Sequence, residues 1–409
     1  MKATVLLVAG ARPNYMKIAP IHWAYRNAAP STLAMEIVHT GQHYDPSLSD
    51  DFFRDLDLPA PSVNLGVGSG SHAEQTAKIM VGFERVLADK RPGMVVVVGD
   101  VNSTAACALV TAKAQYPDGA RPLLVHVEAG LRSRDRTMPE EVNRVVTDAL
   151  SDLCFTTCRD ADANLLAEGV PAERIRFVGN PMIDSLVRCL ERAADAALLR
   201  DLGLASRGFG LCTLHRPANV DHRESLGEIL DALGAIAADM PVLLPLHPRT
   251  RQRVDAFDLG DRLLGLARPS RAHPSRGLFA IEPLPYFEML QAMQHARFVL
   301  TDSGGIQEET TALGVPCVTL RPNTERPVTI TDGTNVLAGT SRQGILEGLA
   351  EAQRKTARAT GAPELWDGRA GERIVAVLDA LAAGAEGGRR PARAHRAAAP
   401  LGEARWSDQ

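Results

Sequence analysis

The chain has 409 residues, of which 45% are hydrophobic, 23% charged and 4% aromatic, a composition typical of a globular enzyme rather than a disordered, fibrous or membrane protein. At roughly 150 residues per domain, this length predicts two domains. The formal net charge is -4, from 45 basic and 49 acidic residues, so no overall positive field exists to hold a nucleic acid. An anion must be bound locally, by a few cationic side chains and helix N-termini, which favours a small phosphorylated ligand.

Short apolar runs alternate with longer segments of helical period along most of the chain, the pattern of a parallel sheet with helices on both faces. The predicted strands of a first series are TVLLVAG (4–10), MEIVHTG (35–41), MVVVVGD (94–100), LLVHVEAG (123–130) and LCFTT (153–157). A second series contains GLCTL (210–214), PVLLPLH (241–247), GLFAI (277–281), FVLTDSGG (298–305) and PCVTL (316–320). The predicted fold class is therefore α/β, with two Rossmann-like, doubly wound parallel-sheet domains facing each other across a cleft.

The two series set the expected domain boundaries. We assign residues 1–185 to an N-terminal Rossmann-like domain and residues 186–365 to a C-terminal one, connected by a helical stretch rich in Ala and Arg. The apolar period of GERIVAVLDALAA predicts a last helix within 366–384, packing back on the N-terminal domain. Segment 385–409 is rich in Gly, Pro, Ala and Arg and is predicted to be a disordered tail, because it has too little apolar content to fold.

Cysteine usage and hydropathy indicate the compartment. The six cysteines lack CxxC spacing and most lie in apolar runs, so we interpret them as reduced core residues. No apolar run approaches the ~20 residues of a membrane span. We expect a cytoplasmic protein without a membrane partner.

The loop after the first predicted strand carries two cationic side chains. Parallel sheets bind ligands at the carboxyl ends of their strands, so Arg12 and Lys17 are candidates to face the cleft. Solvated loop and helix charges are the structural alternative. The same loop lacks the GxGxxG fingerprint, and the chain lacks GxxxxGK[ST], so the sequence indicates neither a tightly held NAD nor a P-loop.

Two carboxylates end central strands. Asp100 and Glu128 follow buried runs, where a carboxylate costs stability unless it is used or hydrogen-bonded. Glu140 opens the next predicted helix, with Arg144 one turn further along. Either strand-end acid alone could simply cap a helix. Together they form a converging acidic set that suits proton transfer.

The second series contributes a histidine and a predicted anion site. His215 follows its first strand and is expected to lie across the cleft from the acids. Ser303-Gly304-Gly305 joins a strand to a helix, so backbone N–H groups and the positive helix end converge there. Glu309 offers a carboxylate for ribose hydroxyls and Arg326 a guanidinium for phosphate, the mixture that a nucleoside diphosphate requires. A structural histidine and an ordinary capped helix are the alternatives.

These motifs together resemble the non-hydrolysing UDP-N-acetylglucosamine 2-epimerases. The resemblance covers roughly residues 1–383, and the motifs occur in the family's order: GARPNYMKIAP, TGQHYD, GD at 99–100, HVEAGLRS, MPEEVNR, TLHRP, DSGGIQEE and NTERP. The resemblance implies a glycosyltransferase-B-like pair of domains, a C-terminal domain that binds UDP, and a homodimer. It implies neither a cofactor nor a metal ion.

The resemblance also implies roles for individual residues. The acids and histidine of the active site would be Asp100, Glu128, Glu140 and His215. Substrate binding would involve Arg12, Lys17, Arg144, Ser303, Gly304, Gly305, Glu309 and Arg326. Gln42 and His43 match a site where some bacterial members bind a second UDP-N-acetylglucosamine as an effector. Dependence on an effector varies within the family and stays open here.

The chemistry agrees with that resemblance. A proton on carbon 2 of an acetamido sugar is not acidic enough for direct abstraction, but departure of UDP gives carbon 1 oxocarbenium character and acidifies it. Removal of the proton leaves a 2-acetamidoglucal, and reprotonation from the other face followed by return of UDP inverts carbon 2. Asp100, Glu128 and Glu140 are the candidate acid and base groups, with their faces unassigned.

Three other functions remain open at this point. The first keeps the nucleotide and changes the sugar, as in a 2-epimerase of a UDP-diacetamido uronic acid, or releases UDP by hydrolysis. The second is a glycosyltransferase of the same fold, which would need an acceptor. The third is a nucleotide-sugar sensor, which would not need three carboxylates at the ends of strands.

Overall fold

Two parallel sheets organise the protein. The computed structural model describes residues 2–28, 31–42, 53–265, 275–356 and 361–386. These residues form two seven-stranded sheets in which neighbouring strands pair in parallel. The predicted fold class, two Rossmann-like domains in a glycosyltransferase-B-like arrangement, is confirmed.

The first sheet has the strand order β3-β2-β1-β4-β5-β6-β7. Its strands are β1 (Ala3–Ala9), β2 (Leu33–His39), β3 (Val63–Asn64), β4 (Met94–Val98), β5 (Leu123–Ala129), β6 (Leu153–Thr156) and β7 (Ile175–Phe177). All five residues of β4 are buried, because helices cover both faces of the sheet. The order places β4 and β5 side by side at the centre, so the residues that follow them lie next to each other.

Helices cover this sheet on both faces. They are α1 (Arg12–Asn27), α2 (His72–Lys90), α3 (Asn102–Lys113), α4 (Pro139–Leu150) and α5 (Arg159–Ala167), with a 3-10 turn at Ala172–Arg174. Ser71 begins α2 with a capping box, in which its hydroxyl accepts from the backbone N–H of Glu74 while the Glu74 carboxylate accepts from the N–H of Ser71. Proline stands in the first turn of α1 and of α4, where a missing N–H costs no helical hydrogen bond.

The second sheet has the strand order β10-β11-β9-β8-β12-β13-β14. Its strands are β8 (Gly210–Thr213), β9 (Pro241–Pro245), β10 (Leu264–Gly265), β11 (Gly277–Ile281), β12 (Phe298–Thr301), β13 (Cys317–Thr319) and β14 (Asn335–Leu337). The helices from the connection onward are α6 (Pro181–Ala194), α7 (Leu198–Leu202), α8 (Pro217–Val220), α9 (Arg223–Ala237), α10 (Pro248–Ala256), α11 (Tyr286–His295), α12 (Gly304–Ala312), α13 (Val328–Thr331), α14 (Arg342–Thr356) and α15 (Ala370–Glu386). A second 3-10 turn spans Gly260–Arg262.

Helix α6 packs against both halves of the molecule. It contacts α1 on one side and α11 and α12 on the other. Its buried side chains Ile183 and Leu186 belong to one apolar cluster that reaches from β1 to β12. Because α6 is part of the core of both halves, the two sheets are held by a shared apolar surface, and the boundary predicted at residue 185 stays a prediction.

The last helix, α15, returns to the first half and packs against α1. The backbone N–H groups of Ala370 and Gly371 donate to the buried carboxylate of Asp184, at 3.1 and 2.8 Å, which anchors the beginning of the helix to α6. The helix continues through Ala385 and Glu386, so the predicted boundary between the helix and a disordered tail at 384/385 is wrong by two residues. The remainder of the predicted tail, 387–409, lies outside the described residues.

Replacing Gly371 by alanine should weaken the contact between α15 and α1. A Cβ at Gly371 would lie 2.4 Å from the carbonyl oxygen of Pro20, so the two helices would have to separate. We expect Gly371→Ala to lower the free energy of unfolding by about 1–3 kcal/mol, as overpacking does. Urea unfolding followed by circular dichroism measures it.

Gly384→Ala is the matched control in the same helix, because no atom lies within 4 Å of a Cβ at that position. It should be neutral or raise the free energy of unfolding by up to about 1 kcal/mol, through the higher helix propensity of alanine. Equal effects of the two substitutions would contradict the close packing of α15 on α1.

Candidate active site

The two sheets border a cavity of about 560 Å³ at the carboxyl ends of their strands. Most of the residues predicted from the sequence line it: Arg12, Lys17, Asp100, Glu128, Glu140, His215, Ser303, Gly304, Gly305, Glu309 and Arg326. Residues as far apart in the chain as Arg12 and Arg326 thus share one cavity, as expected where strands from two parallel sheets end against each other.

Asp100 lies in the turn after β4 and is held by a guanidinium. Nη2 of Arg144, from α4, donates to its carboxylate at 2.6 Å, while Nη1 of the same guanidinium donates to Glu141 at 2.8 Å. Burial opposes ionisation, but the positive charges of Arg144, Lys17 and Arg326 outweigh it and hold the pKa of Asp100 below its ordinary value. Asp100 is therefore a carboxylate at neutral pH.

Glu128 adopts a backbone conformation that is uncommon for its residue type. Its φ is 70°, near the end of β5, where the pairing with β6 shifts by one residue. A non-glycine residue in this region costs about 1–3 kcal/mol, and the surrounding contacts must compensate. The buried carboxylate forms an ion pair with Lys17 and accepts from Nη2 of Arg326 at 3.1 Å. In this backbone conformation the Glu128 side chain points toward Lys17 and Arg326.

Gly99 permits this arrangement. It has a φ of 65°, and a Cβ there would lie 2.6 Å from Nζ of Lys17 and 3.1 Å from Oε2 of Glu128. A larger residue would therefore collide with the Lys17–Glu128 pair as well as strain the turn that carries Asp100.

Arg326 joins the second half of the molecule to Glu128. Its guanidinium contacts three carboxylates, those of Glu128 at 3.1 Å, Glu308 at 3.0 Å and Glu325 at 2.5 Å. Burial, followed by the nearby charge of Glu128, raises the pKa of Glu308. Burial also opposes ionisation of Glu325, but Arg326, Arg321 and Arg144 lower its pKa. Positive and negative side chains alternate across the cleft, so each buried ion has a partner of opposite charge.

His215 is oriented by a buried aspartate. Its Nδ1 lies 2.9 Å from Oδ1 of Asp302, which is fully buried, and its backbone N–H donates to Oδ2 at 3.0 Å. Burial opposes ionisation of Asp302, but the hydrogen bond from His215 helps to lower its pKa, so it is a carboxylate. A carboxylate partner makes Nδ1 the donor and leaves Nε2 of His215 as an acceptor.

The beginning of α12 lies at one end of the cavity. Ser303, Gly304 and Gly305 lie at this helix terminus, where first-turn N–H groups have no acceptor within the helix. A Cβ at Gly304 would lie 2.4 Å from Nη1 of Arg326, so glycine lets the guanidinium pack against the backbone. The N–H groups of the helix end favour an anion at this wall, whereas the charge of Arg326 is already paired with the carboxylates of Glu128, Glu308 and Glu325.

Glu309 is a buried carboxyl one turn into α12. Tyr286 donates to its Oε1 at 3.2 Å. Burial raises the pKa of Glu309 to about 7, although the hydrogen bond from Tyr286 and the charge of Arg12 act in the opposite direction. The group therefore changes its charge near neutral pH.

Two predicted residues lie outside the cavity wall. Arg144 is buried behind Asp100 and contacts the cavity through that carboxylate. Gln42 is also buried, and its Oε1 accepts from the N–H and hydroxyl of Ser103 at 3.2 and 2.7 Å. His43 lies outside the described residues. The effector site stays a prediction.

The sequence reasoning missed three side chains that shape the site. Asp302 and Glu308 stand in the motif chosen for its Ser-Gly-Gly turn, but their roles follow from contacts with His215 and Arg326 that no local pattern signals. Tyr286 follows β11, so the strand-end rule could have found it, although no charged residue marks the position.

The described parts of the chain contain neither a metal-binding cluster nor a membrane-spanning helix. No group of three or more His, Cys, Asp or Glu side chains in those parts has a geometry that could hold a metal ion. Within the same ranges, none of the helices combines the length and the apolar character required to cross a bilayer.

Known proteins resemble this chain over most of its length. A family model described as UDP-N-acetylglucosamine 2-epimerase matches residues 26–379. The UDP-N-acetylglucosamine 2-epimerase of Methanocaldococcus jannaschii is 38% identical, over 92% of this chain and 99% of that protein. The UDP-2,3-diacetamido-2,3-dideoxy-D-glucuronate 2-epimerase of Pseudomonas aeruginosa is 39% identical, over the same shares of the two chains. The crystal structure of the Methanocaldococcus jannaschii enzyme with UDP-GlcNAc and UDP has a TM-score of 0.79 to this structure, covering 92% of this chain and 99% of that one.

Substituting Glu309 by glutamine should change the pH dependence of stability. The folded-state pKa of about 7 exceeds the ordinary 4.5, so between these values the folded protein binds more protons than the unfolded chain. The parent should therefore lose stability as the pH rises through that window. Glu309→Gln cannot ionise and should gain up to about 3 kcal/mol over the parent between about pH 5 and pH 8.

Urea unfolding at both pH values measures the difference. The control is Glu84→Gln, at an exposed position on α2, which should track the parent at both. A difference between Glu309→Gln and the parent that does not vary with pH would refute the raised pKa.

Proposed function

The chain belongs to the UDP-N-acetylglucosamine 2-epimerase family, and from this premise we propose that it interconverts UDP-N-acetylglucosamine and UDP-N-acetylmannosamine by eliminating and re-adding UDP. The observation that carries the proposal is that one cavity contains both acids held by cations and the N-terminal end of a helix. Asp100 and Glu128 come from the first sheet, and the start of α12 comes from the second. The two acids can move a proton, and the helix end can hold a leaving diphosphate.

Departure of UDP is the first step. The N–H groups at the start of α12 and the guanidinium of Arg12 would bind the diphosphate, and stabilising the charge that develops on it favours cleavage of the anomeric bond. Carbon 1 then gains oxocarbenium character, which makes the proton on carbon 2 acidic. This order of events explains how a carboxylate can remove a proton that has no neighbouring carbonyl group.

Proton transfer at carbon 2 is the second step. A carboxylate of the first sheet removes the proton from carbon 2, which leaves a 2-acetamidoglucal. Another group then returns a proton to the opposite face of carbon 2. Asp100, Glu128 and Glu140 all line the cavity and are the candidates. Asp100 and Glu128 are each paired with a cation, Arg144 and Lys17 respectively, which holds both side chains in place.

His215 would act on the side of the second sheet. Asp302 fixes its ring so that Nε2 is the free nitrogen, and His215 lines the same cavity as the start of α12. A neutral imidazole in this position can accept a proton, and an imidazolium can donate one to the departing phosphate.

Retention of UDP distinguishes an epimerase from a hydrolase. The buried carboxyl of Glu309 can accept from ribose hydroxyls when it is ionised, while the helix end holds the diphosphate. Two separate contacts along the nucleotide keep it in the cavity while the sugar is unattached, so that it can add back.

Acidic groups outnumber cations in the cavity wall, which disfavours a further carboxylate on the sugar. Six acidic side chains line it, those of Asp100, Glu128, Glu140, Glu308, Glu309 and Glu325, against four cationic ones, those of Arg12, Lys17, Arg216 and Arg326. Burial raises the pKa of Glu308 and Glu309, so the excess of negative charge grows as the pH rises. A uronic acid would add a further negative charge to this wall. The second candidate is nevertheless a 2-epimerase of a UDP-diacetamido uronic acid, because a relative of that name is 39% identical.

We also propose that the protein is a cytoplasmic homodimer. Three valines are 42–53% exposed on α2 and α4, two helices that pack on either side of α3, and this apolar surface suits a second copy of the chain: Val81, Val142 and Val145. The six cysteines are unpaired and buried, as in a reducing compartment.

Sedimentation equilibrium of the parent should give the mass of a dimer, and Val142→Glu should give a monomer. A monomeric parent would refute the association.

Incubation with UDP-N-acetylglucosamine in heavy water tests the reaction. We expect NMR to show UDP-N-acetylmannosamine with deuterium at carbon 2, because the returned proton comes from a group that exchanges with solvent. Free N-acetylmannosamine would instead indicate a hydrolase. If the protein turns over the UDP-diacetamido uronic acid faster than UDP-N-acetylglucosamine, the second candidate is correct. Retention of the original proton on carbon 2 would overturn the mechanism.

The same assay tests the assigned acids. Asp100→Asn and Glu128→Gln should each lower kcat by about 10²–10⁴-fold, the usual contribution of a positioned acid or base, because neither amide can exchange a proton with carbon 2. Calorimetry should show UDP affinity within about threefold of the parent, because the proposed nucleotide contacts, Arg12 and the start of α12, do not include Asp100 or Glu128.

Glu84→Gln serves as the control, because this exposed side chain on α2 lies outside the cavity. Its kcat should equal that of the parent. Normal turnover in both Asp100→Asn and Glu128→Gln would rule out the proposed acids while leaving the reaction itself to the heavy-water result.

A further inference from the structure

His126 lies behind the cavity, in the middle of β5, and has no exposed surface. Its neighbours in the sheet are Val97 of β4 and Cys154 of β6. Both of its ring nitrogens make short polar contacts: Nδ1 lies 2.6 Å from Oδ1 of Asp148, and Nε2 lies 2.8 Å from the carbonyl oxygen of Gly99. A histidine buried in this way has both nitrogens committed to named partners.

The two partners fix the charge of the ring. The carbonyl oxygen of Gly99 can only accept, so Nε2 of His126 must carry a hydrogen. Oδ2 of Asp148 accepts from the backbone N–H of Gly130 at 3.0 Å and pairs with Arg132 at 2.8 Å, as an ionised carboxylate does. Nδ1 therefore faces a carboxylate oxygen and must donate as well. A ring that donates from both nitrogens is an imidazolium.

The surrounding charges support an imidazolium in a dry environment. Arg132, whose guanidinium bridges Asp148 and Glu168, completes a row of two cations and two carboxylates, so no member is left without a counter-charge. Buried charges are tolerated when they are paired and hydrogen-bonded in this way. Asp148, at the centre of the row, is 1% exposed.

The row holds the backbone that carries both acids. The N–H of Gly99 donates to the carbonyl of Val127 at 3.0 Å, and its carbonyl accepts from His126, so the residue before Asp100 is held on both sides by β5. Glu128 is the second residue after His126, and Gly130, two residues further along, donates its N–H to Asp148. One imidazolium–carboxylate pair therefore reaches the backbone within two residues of each acid.

We propose that the His126 imidazolium, paired with Asp148, is a positioning residue that sets the distance between the carboxylates of Asp100 and Glu128. The kinetic part of this inference rests on the proposed function. Neither His126 nor Asp148 lines the cavity, so the pair acts through the backbone of Gly99 and Gly130. The left-handed backbone of Glu128 requires such support, because a strained residue relaxes when its surroundings do not hold it.

Kinetics of His126→Gln test the positioning role. Glutamine is neutral, and both of its N–H donors are on one nitrogen, whereas the ring contacts its two acceptors from two separate nitrogens. We expect kcat to fall by about 10²-fold, as for a misplacement of about 1 Å, while KM and UDP affinity stay within about threefold. Asp148→Asn, which removes the counter-charge with little change of shape, should give the same split between kcat and KM.

The matched control is His22→Gln. His22 is 6% exposed in α1, its Nδ1 has no hydrogen-bond partner among the described residues, and it lies outside the cavity. It should keep the kcat of the parent even where melting temperature falls. If His126→Gln keeps normal kcat, or loses kcat and UDP affinity in parallel, the positioning role is refuted.

Two measurements need no turnover and separate this inference from the proposed function. NMR of the parent labelled with ¹⁵N-histidine should show, for the resonances that disappear in His126→Gln, hydrogens on both ring nitrogens; a neutral ring would overturn the inference. Hydrogen exchange should show faster exchange at Gly99 and Gly130 in His126→Gln than in His22→Gln. Unchanged exchange would overturn it, even if the parent proved inactive on every UDP-sugar tested.

Discussion

The ion cluster of Lys17, Glu128 and Arg326 is the interaction on which the site depends. Its three charges come from α1, β5 and the loop after β13, so it exists only when both sheets are in place. Removing water from such charges is costly, and the cost is recovered only if each ion meets its partner at close range. Loss of one member would leave the other buried charges unpaired. The cluster therefore couples the geometry of the acids to the relative position of the two sheets.

The backbone beside the cluster carries strain that the sheet compensates. Glu128 and Gly99 both have positive φ, on adjacent strands at the centre of the first sheet. Hydrogen bonds from Gly99 to Val127 and from His126 to Gly99 hold the two strand ends together. Strain of this kind persists only where neighbours over-determine the conformation, and it is concentrated at sites that need a fixed geometry. The buried strands β4 and β5 therefore fix the positions of the Asp100 and Glu128 side chains.

Much of this could be predicted from local patterns. The alternation of apolar runs and helical segments determines a doubly wound fold, because each strand must bury both faces and each helix one. The strand-end rule found Asp100, Glu128 and His215, since a polar residue directly after a buried run must lie at the carboxyl edge of a sheet. The same rule did not find Tyr286, which carries no charge and follows a run that ends several residues earlier. Nor could it separate Arg144, which lies behind Asp100, from the residues of the wall.

The sequence by itself determined the fold class, the membership of a family and about half of the residues around the cavity, because these follow from periodicity and from motifs local in the chain. The tertiary structure alone decided which charges pair. The contacts of Arg326 with Glu128 and of His215 with Asp302 join residues whose separation in the chain holds no information about distance. The charge of His126 was decided in the same way, because it depends on two acceptors supplied by different elements. Charge states are properties of an environment, and an environment exists only after folding.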